Sequence, residues 1–255
     1  TFMTTKPPVG SQTVDLALEL LECFSVEESE LSLTEFSNAT GLTMPTTHRL
    51  LKALQAREYL LFDKATRLYS LGPGAMRLAS IIIQRDDINA VVLPWLERLR
   101  RLTGETAALH WLVDHYRVCT VELESRHLIK MASGVGRRYP LFAGAAGKAI
   151  ISNLPEDEIL QILHAARDEG TGPLVTGSVD GFMAMVRATL EAGVARSTSE
   201  VVDGASAVAA AVLNSVRRPI AAINITGPSS RFGAAAKDQA AILVREAVQD
   251  VEQRL

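Results

Sequence analysis

The sequence predicts an α+β chain in two parts: a small helical unit closed by a hairpin, then a larger domain built on an antiparallel-rich sheet. Three observations carry this. Residues 32–71 hold two short helical segments with separate stop and start signals, followed at once by a β-rich hairpin. A third helix precedes them and an apolar helix follows. From Thr106 onward, strands and helices mix without a regular βα alternation, which argues against a doubly wound parallel sheet.

Each element has local reasons. Thr1–Gly10, with Pro7-Pro8 and no apolar run, reads as a flexible leader and not a signal peptide. Gln12–Ser25 reads as a helix burying Val14, Leu16, Leu18, Leu21 and Phe24. Ser32 and Glu35 stand in S-x-x-E spacing, which satisfies free N–H groups at a helix start. Leu33, Phe36 and Ala39 then recur at intervals of three, and Gly41 accepts the left-handed turn that ends the helix. Thr43 is placed to cap the next helix, and Pro45 fits its first turn. About 100° of rotation per residue puts Thr47, Leu50, Leu51 and Leu54 on one side of that helix and Pro45, His48, Arg49 and Lys52 on the other. The hairpin that follows carries Tyr59, Phe62 and Tyr69 and a polar tip, Lys64-Ala-Thr-Arg67.

Two helices and a hairpin in this order make a winged helix-turn-helix, and the partner it implies is duplex DNA. The second helix, with a basic outer face, suits the major groove, and the two cations of the tip suit a phosphate or the minor groove. Thr43, Thr46 and Thr47 offer hydroxyls near the helix start, where phosphate is favoured. Charge is polarised rather than basic in sum. Residues 11–42 hold seven acids and no Lys or Arg, whereas residues 43–77 hold Arg49, Lys52, Arg57, Lys64, Arg67 and Arg77 against Glu58 and Asp63.

The sequence divides into a leader (1–10), the DNA-binding unit (11–73), a linker and dimerisation helix (74–92) and a C-terminal α+β domain (93–255). Met76, Leu78, Ala79, Ile81, Ile82 and Ile83 make the linker helix apolar enough to expect a second copy against it. Pro94 is expected to start a further helix through Leu102. Strands are expected at Thr106–Val113, Arg117–Leu123, Leu128–Ala132, Val135–Tyr139, Val194–Thr198, Ala207–Leu213 and Ile220–Thr226. Helices are expected at Gly144–Ser152, Pro155–Ala166, Phe182–Ala192 and Gly233–Arg254.

With 255 residues, 47% apolar, 22% charged and a net charge of −3, the composition is that of an ordinary globular protein. No run nears the ~20 apolar residues of a membrane span. Cys23 and Cys119 read as core thiols, which fits a reducing cytoplasm. Gly144-x-x-Gly147-Lys148-Ala149 fails as a phosphate loop, because Phe142 and Ala149 stand where that motif needs Gly and Ser or Thr. His110, His115 and His127 lack paired metal-ligand spacing and read as surface or structural residues. No metal, cofactor or local catalytic grouping is implied.

The chain resembles the IclR family of bacterial transcriptional regulators from about Thr13 to Leu255. Four stretches carry the resemblance: Leu33-Thr-Glu-Phe through Thr47-His-Arg-Leu-Leu; Tyr69-Ser-Leu-Gly72; Thr103-Gly-Glu-Thr106; and Pro140 to Ala149 together with Ile223-Asn-Ile-Thr-Gly-Pro228. The resemblance implies a GAF-like, effector-binding C-terminal domain (93–255), a homodimer or homotetramer, a palindromic operator and a small organic-acid effector. It places the effector pocket at Leu128, Met131 and Tyr139 on one wall, the Ala145–Ala146 turn, and Ser197, Ala207, Asn224 and Thr226 on the other. Several relatives carry Asp and Cys where this chain has Ser197 and Ala207, so a larger, partly apolar and aromatic acid is expected. Its carboxylate would sit at Ala145–Ala146, with hydrogen bonds to Asn224 and Thr226. The alternative from another class is an enzyme acting on a small acid in the same pocket.

Overall fold

The computed structural model describes residues 11–25, 28–85, 88–168, 170–172 and 177–255, with the side chains of 82–85 not described. The expected leader, residues 86 and 87, and the side chains of Ile82 and Ile83 therefore lie outside the described residues. Two compact units divide the chain at Asp86 and Asp87.

The first unit opens with α1 (Gln12–Glu22), β1 (Glu30–Ser32), α2 (Leu33–Thr40) and α3 (Met44–Ala56). It continues with β2 (Leu60–Phe62), β3 (Leu68–Leu71) and α4 (Pro73–Arg85). The capping box forms in full: Ser32 Oγ accepts from Glu35 N–H, and Glu35 accepts from Ser32 N–H at 2.7 Å. Gly41 takes the left-handed conformation at φ 70°. The expected two-stranded hairpin gains a third strand, since β1 pairs antiparallel with β3 in the order β1-β3-β2. Leu31 of β1 is thereby drawn into a core with Leu20, Phe36, Leu50, Leu51, Leu60 and Tyr69. The rings of Phe24, Phe36, Tyr69 and Phe62 follow one another through this core at centroid distances of 5.4, 6.1 and 4.6 Å.

Three expected inward positions are exposed: Val14, Leu18 and Ala39. Helix α1 carries two apolar stripes, and about 100° per residue sets Leu18 opposite Leu20. The core takes the Leu16–Leu20 stripe. The Leu71–Gly74 segment closes the sheet by close backbone approach. Gly72 N–H donates to Tyr59 O at 2.7 Å and Gly74 N–H to Glu58 O at 2.8 Å, and a Cβ on Gly72 would collide with the Glu58 carbonyl.

In the second unit, α5 (Ile88–Thr103) contains Pro94 in its interior rather than at its start. Ile88 and Val92, ahead of the proline, share a buried face with Leu96 and Leu99, and that burial sustains the helix past the lost N–H. There follow β4 (Thr106–Val113), β5 (Tyr116–Leu123), β6 (Arg138–Pro140), α6 (Gly144–Ile151), α7 (Glu156–Asp168) and α8 (Val179–Ala192). The chain then forms β7 (Ala195–Thr198), β8 (Ala205–Leu213), β9 (Pro219–Pro228) and α9 (Ala234–Glu252). All six strands pair antiparallel, in the order β6-β5-β4-β9-β8-β7. Residues 128–132 form no strand, and the strand expected at 135–139 shrinks to β6. Gly134 and Gly136, at φ 82° and 84°, break the extended run there, while the Glu122 carboxylate accepts from Ser133 and Gly134 N–H.

Strand parity sorts the layers. Ile223 and Ile225 of β9 pack toward α5 and α9 with Val208, Val244 and Val251. Ala222 of β9 and Ala207 and Ala209 of β8 pack with α6, α7 and α8. At the other end of β9, the buried Glu105 carboxylate receives Arg231 Nε at 2.5 Å and Nη2 at 2.9 Å, and Arg231 also donates to Ile129 O. Removing the guanidinium strands a buried charge. The Arg231→Ala variant is therefore expected to lose about 2–4 kcal/mol of stability, read as a lower urea midpoint for the C-terminal unit at unchanged m-value.

Candidate functional site

The nine residues assigned to DNA from sequence fall on α3 and on the turn between β2 and β3. Pro45, His48, Arg49 and Lys52 are exposed on one side of α3, and Thr43 and Thr46 lie at its start. Thr43 occupies the N-cap position, but its hydroxyl donates to Thr46 Oγ1 at 3.0 Å instead of capping the helix. Thr47 is withdrawn from the contact face: it is fully buried, and its hydroxyl donates to Thr43 O at 3.1 Å. It is a seam residue whose polar atom is satisfied inside the helix.

Lys64 and Arg67 stand exposed at the wing tip. Asp63 shapes that tip, accepting Ala65 N–H on its carboxylate and Arg67 N–H on its carbonyl, while Arg67 takes φ 61°. Lys52 lies 5.9 Å from the Phe62 ring centroid, at the base of the wing. Among the described residues, none of Arg49, Lys52, Lys64 and Arg67 has an acidic partner; the ion pair of this unit joins Arg77 to Glu58. Unpaired cations on a helix face and an adjacent finger are what a polyanion requires.

The second unit contains a cavity of about 260 Å³, somewhat below the ~300–1,000 Å³ usual for small-molecule sites. It collects eight of the nine residues placed there by resemblance: Met131, Tyr139, Ala145, Ala146, Ser197, Ala207, Asn224 and Thr226. Leu128 does not join them. It is fully exposed, because the segment that would have turned it inward as a strand is irregular.

The start of α6 is already occupied. Ala145 N–H donates to Ser197 Oγ at 3.1 Å, and Gly144 N–H donates to Glu200 Oε2 at 3.1 Å. Glu200 also pairs with Lys148 at 2.6 Å. Of the Ala145–Ala146 pair expected to seat an effector carboxylate, the Ala145 amide is thus taken by this chain's own Ser197. Asn224 and Thr226 are joined as well, Asn224 Nδ2 donating to Thr226 Oγ1 at 2.8 Å.

Sequence reasoning missed the polar centre of the cavity. Arg117, on β5, is 5% exposed and lines the wall. Its Nη1 donates to His110 Nδ1 at 3.0 Å, and its guanidinium lies 4.5 Å from the Tyr139 ring centroid. An arginine can only donate, so His110 Nδ1 accepts and the ring proton sits on Nε2. Burial and then the Arg117 charge hold the His110 pKa well below the imidazole norm, so the ring is neutral. Burial lowers Arg117 to about 10, still charged at neutral pH. His110 lies in a central strand and is wholly buried, so of the surface and structural positions expected for it the structure gives an interior one. One signal was available: Arg117 shares strand parity with Cys119, the buried face of β5.

Cys119 is buried and its thiol is pushed up to about 12, chiefly by burial, so it is inert. Cys23 is half-buried against the first core rather than enclosed in it. No group of three His, Cys, Asp or Glu stands ready to hold a metal among the described residues. Among the same residues, no helix is long and apolar enough to cross a membrane.

Residues 13–64 match the IclR helix-turn-helix domain, and residues 81–253 match the bacterial transcriptional regulator IclR C-terminal family. The HTH-type transcriptional repressor AllR of Escherichia coli K12 is 28% identical over 246 residues, covering 96% of this chain and 91% of that protein. The HTH-type transcriptional regulator XynR of the same strain is 31% identical over 220 residues, covering 86% and 87%. The crystal structure of an IclR homolog from Microbacterium hydrocarbonoxydans, complexed with 4-hydroxybenzoate, shares the fold at a TM-score of 0.75 and 19% identity over 94% of this chain and 98% of that one. A helix-turn-helix unit and a separate ligand-binding unit, each matched by its own family over nearly the whole length, place this chain in the IclR family of bacterial transcriptional regulators rather than among enzymes.

Proposed function

We propose that the protein binds a palindromic operator as a dimer or tetramer, and that a small, partly apolar organic acid in the C-terminal cavity alters that binding. The observation that carries the DNA half is the set of four exposed cations, Arg49, Lys52, Lys64 and Arg67, with no acid opposing them among the described residues. In this reading Arg49 reads a base edge or phosphate from α3, Lys52 holds phosphate beside it, and the wing tip adds two contacts. The chromosome as partner puts the working place in the cytoplasm.

The second copy would meet α4. Met76, Leu78 and Ile81 are 76%, 52% and 61% exposed there, more apolar surface than a helix in water ordinarily keeps. Two reading heads must be spaced by whole helical turns of DNA, so a modest shift between subunits changes affinity.

The effector half rests on the cavity's mixed lining. Met131, Val201, Val202, Ala205 and Ala207 give an apolar wall, with polar groups gathered at α6, Arg117 and Asn224. A single-ring acid matches that division, and the Microbacterium hydrocarbonoxydans protein of the same fold is complexed with 4-hydroxybenzoate. Ser197 and Ala207, smaller than the Asp and Cys of some relatives, leave room for a ring.

In mobility-shift assays with an operator selected from random duplex, the R49A/K52A double variant is expected to bind roughly 100-fold more weakly. Its log–log salt slope should be shallower by about 2. Equal affinity and slope would refute the assigned DNA face. In light-scattering measurements of mass, M76E/I81E should shift the assembly to smaller species; an unchanged mass removes α4 from the subunit contact.

A further inference from the structure

We infer that Arg117 is the charge partner that selects a monocarboxylate effector, receiving it side-on through Nε and Nη2. The inference rests on the acid-effector reading above and adds to it the residue that holds the charge.

The cavity lining holds three charged side chains: Arg117, Lys130 and Glu200. Lys130 is paired with Glu124, and Glu200 with Lys148. Arg117 has no carboxylate partner among the described residues, although it is the most buried of the three. The cavity therefore carries one uncompensated positive charge, complementary to a single anion. The start of α6 supplies that complement only in part, because Glu200 and Ser197 already take the Gly144 and Ala145 amides and Glu200 brings a negative charge there.

The guanidinium is also held in one pose. His110 Nδ1 takes Nη1, and the Tyr139 ring lies beside the guanidinium. What remains is the Nε–Nη2 edge, the fork that matches a carboxylate with two parallel hydrogen bonds. Nε is buried without a partner. The edge lies next to α6: a Cβ on Gly144 would stand 3.1 Å from Nη2 and 3.0 Å from Val201 Cγ2. Met131, Val201 and Ala207 give the same cavity apolar surface for the rest of such a ligand.

A buried arginine with no acid partner is costly to the empty protein, so a purely structural role is a poor reason to keep it. Replacing it by an apolar residue of similar length should leave the fold intact and remove the acid preference.

The test is titration calorimetry of the full chain with benzoate, 4-hydroxybenzoate, phenylacetate and cyclohexanecarboxylate, each against its carboxamide. The wild type is expected to favour at least one acid over its amide by roughly 10- to 100-fold. R117M, checked for its far-ultraviolet circular dichroism, should bind acid and amide alike. R117K keeps the charge without the fork and should retain the acid preference at about tenfold weaker affinity; it serves as the deciding variant if R117M does not fold. An acid preference that survives in R117M, or an R117K affinity equal to wild type, overturns the inference and leaves the acid-effector reading standing. Amides binding where acids do not overturns both the Arg117 inference and the acid-effector reading, and keeps the cavity only as a ligand site. If the wild type binds nothing on the panel, both readings fall.

Discussion

The C-terminal unit depends on the parity of two neighbouring strands. On β9, Ile223 and Ile225 face one layer while Ala222 faces the other, and on β8 the alternation sets Val208 and Val212 against Ala207 and Ala209. Bulk goes to α5 and α9, where it builds a continuous core. Small residues go to α6, which is itself rich in alanine and glycine, so that helix can approach the sheet closely. Where the small residues give way to Asn224 and Thr226, the two layers no longer fill the space between them, and a cavity is left. The cavity is thus a consequence of how the sheet is packed, not an addition to it.

Burial sets the electrostatics of that cavity. The site holds a guanidinium that ordinary protein interiors would pair with a carboxylate. Here its neighbours are an imidazole kept neutral by burial and a tyrosine ring. The acids nearby are committed elsewhere: Glu200 to the start of α6 and Lys148, Glu122 to the amides of Ser133 and Gly134. The arrangement exchanges some stability for a preorganised positive site.

The first unit solves a different problem, holding a basic helix face outward on a small core. Four aromatic rings and a third strand stiffen the support beneath α3 and the wing. Glu19 and Glu22 of α1 stand in solvent, and Glu35 caps α2. Glu35 is held below the usual carboxylate range by its hydrogen bonds to Ser32.

What could be read from the sequence was local. The Ser32–Glu35 box, the Gly41 stop, the Leu50–Leu51 seam and the basic outer face of α3 depend on contacts within a few residues, so spacing encodes them. The larger helices and strands were legible from periodicity, and eight cavity residues from family resemblance. The sequence alone did not show that β1 joins the wing, that α5 runs through Pro94, or that Val14 and Leu18 face outward. Nor did it show Glu200 on an amide 56 positions away, or Arg117 with His110 across two strands. These are decided by which surfaces meet in three dimensions. A side chain's spacing fixes the face it occupies, but only the packed layers fix whether that face meets water, a core or an empty pocket.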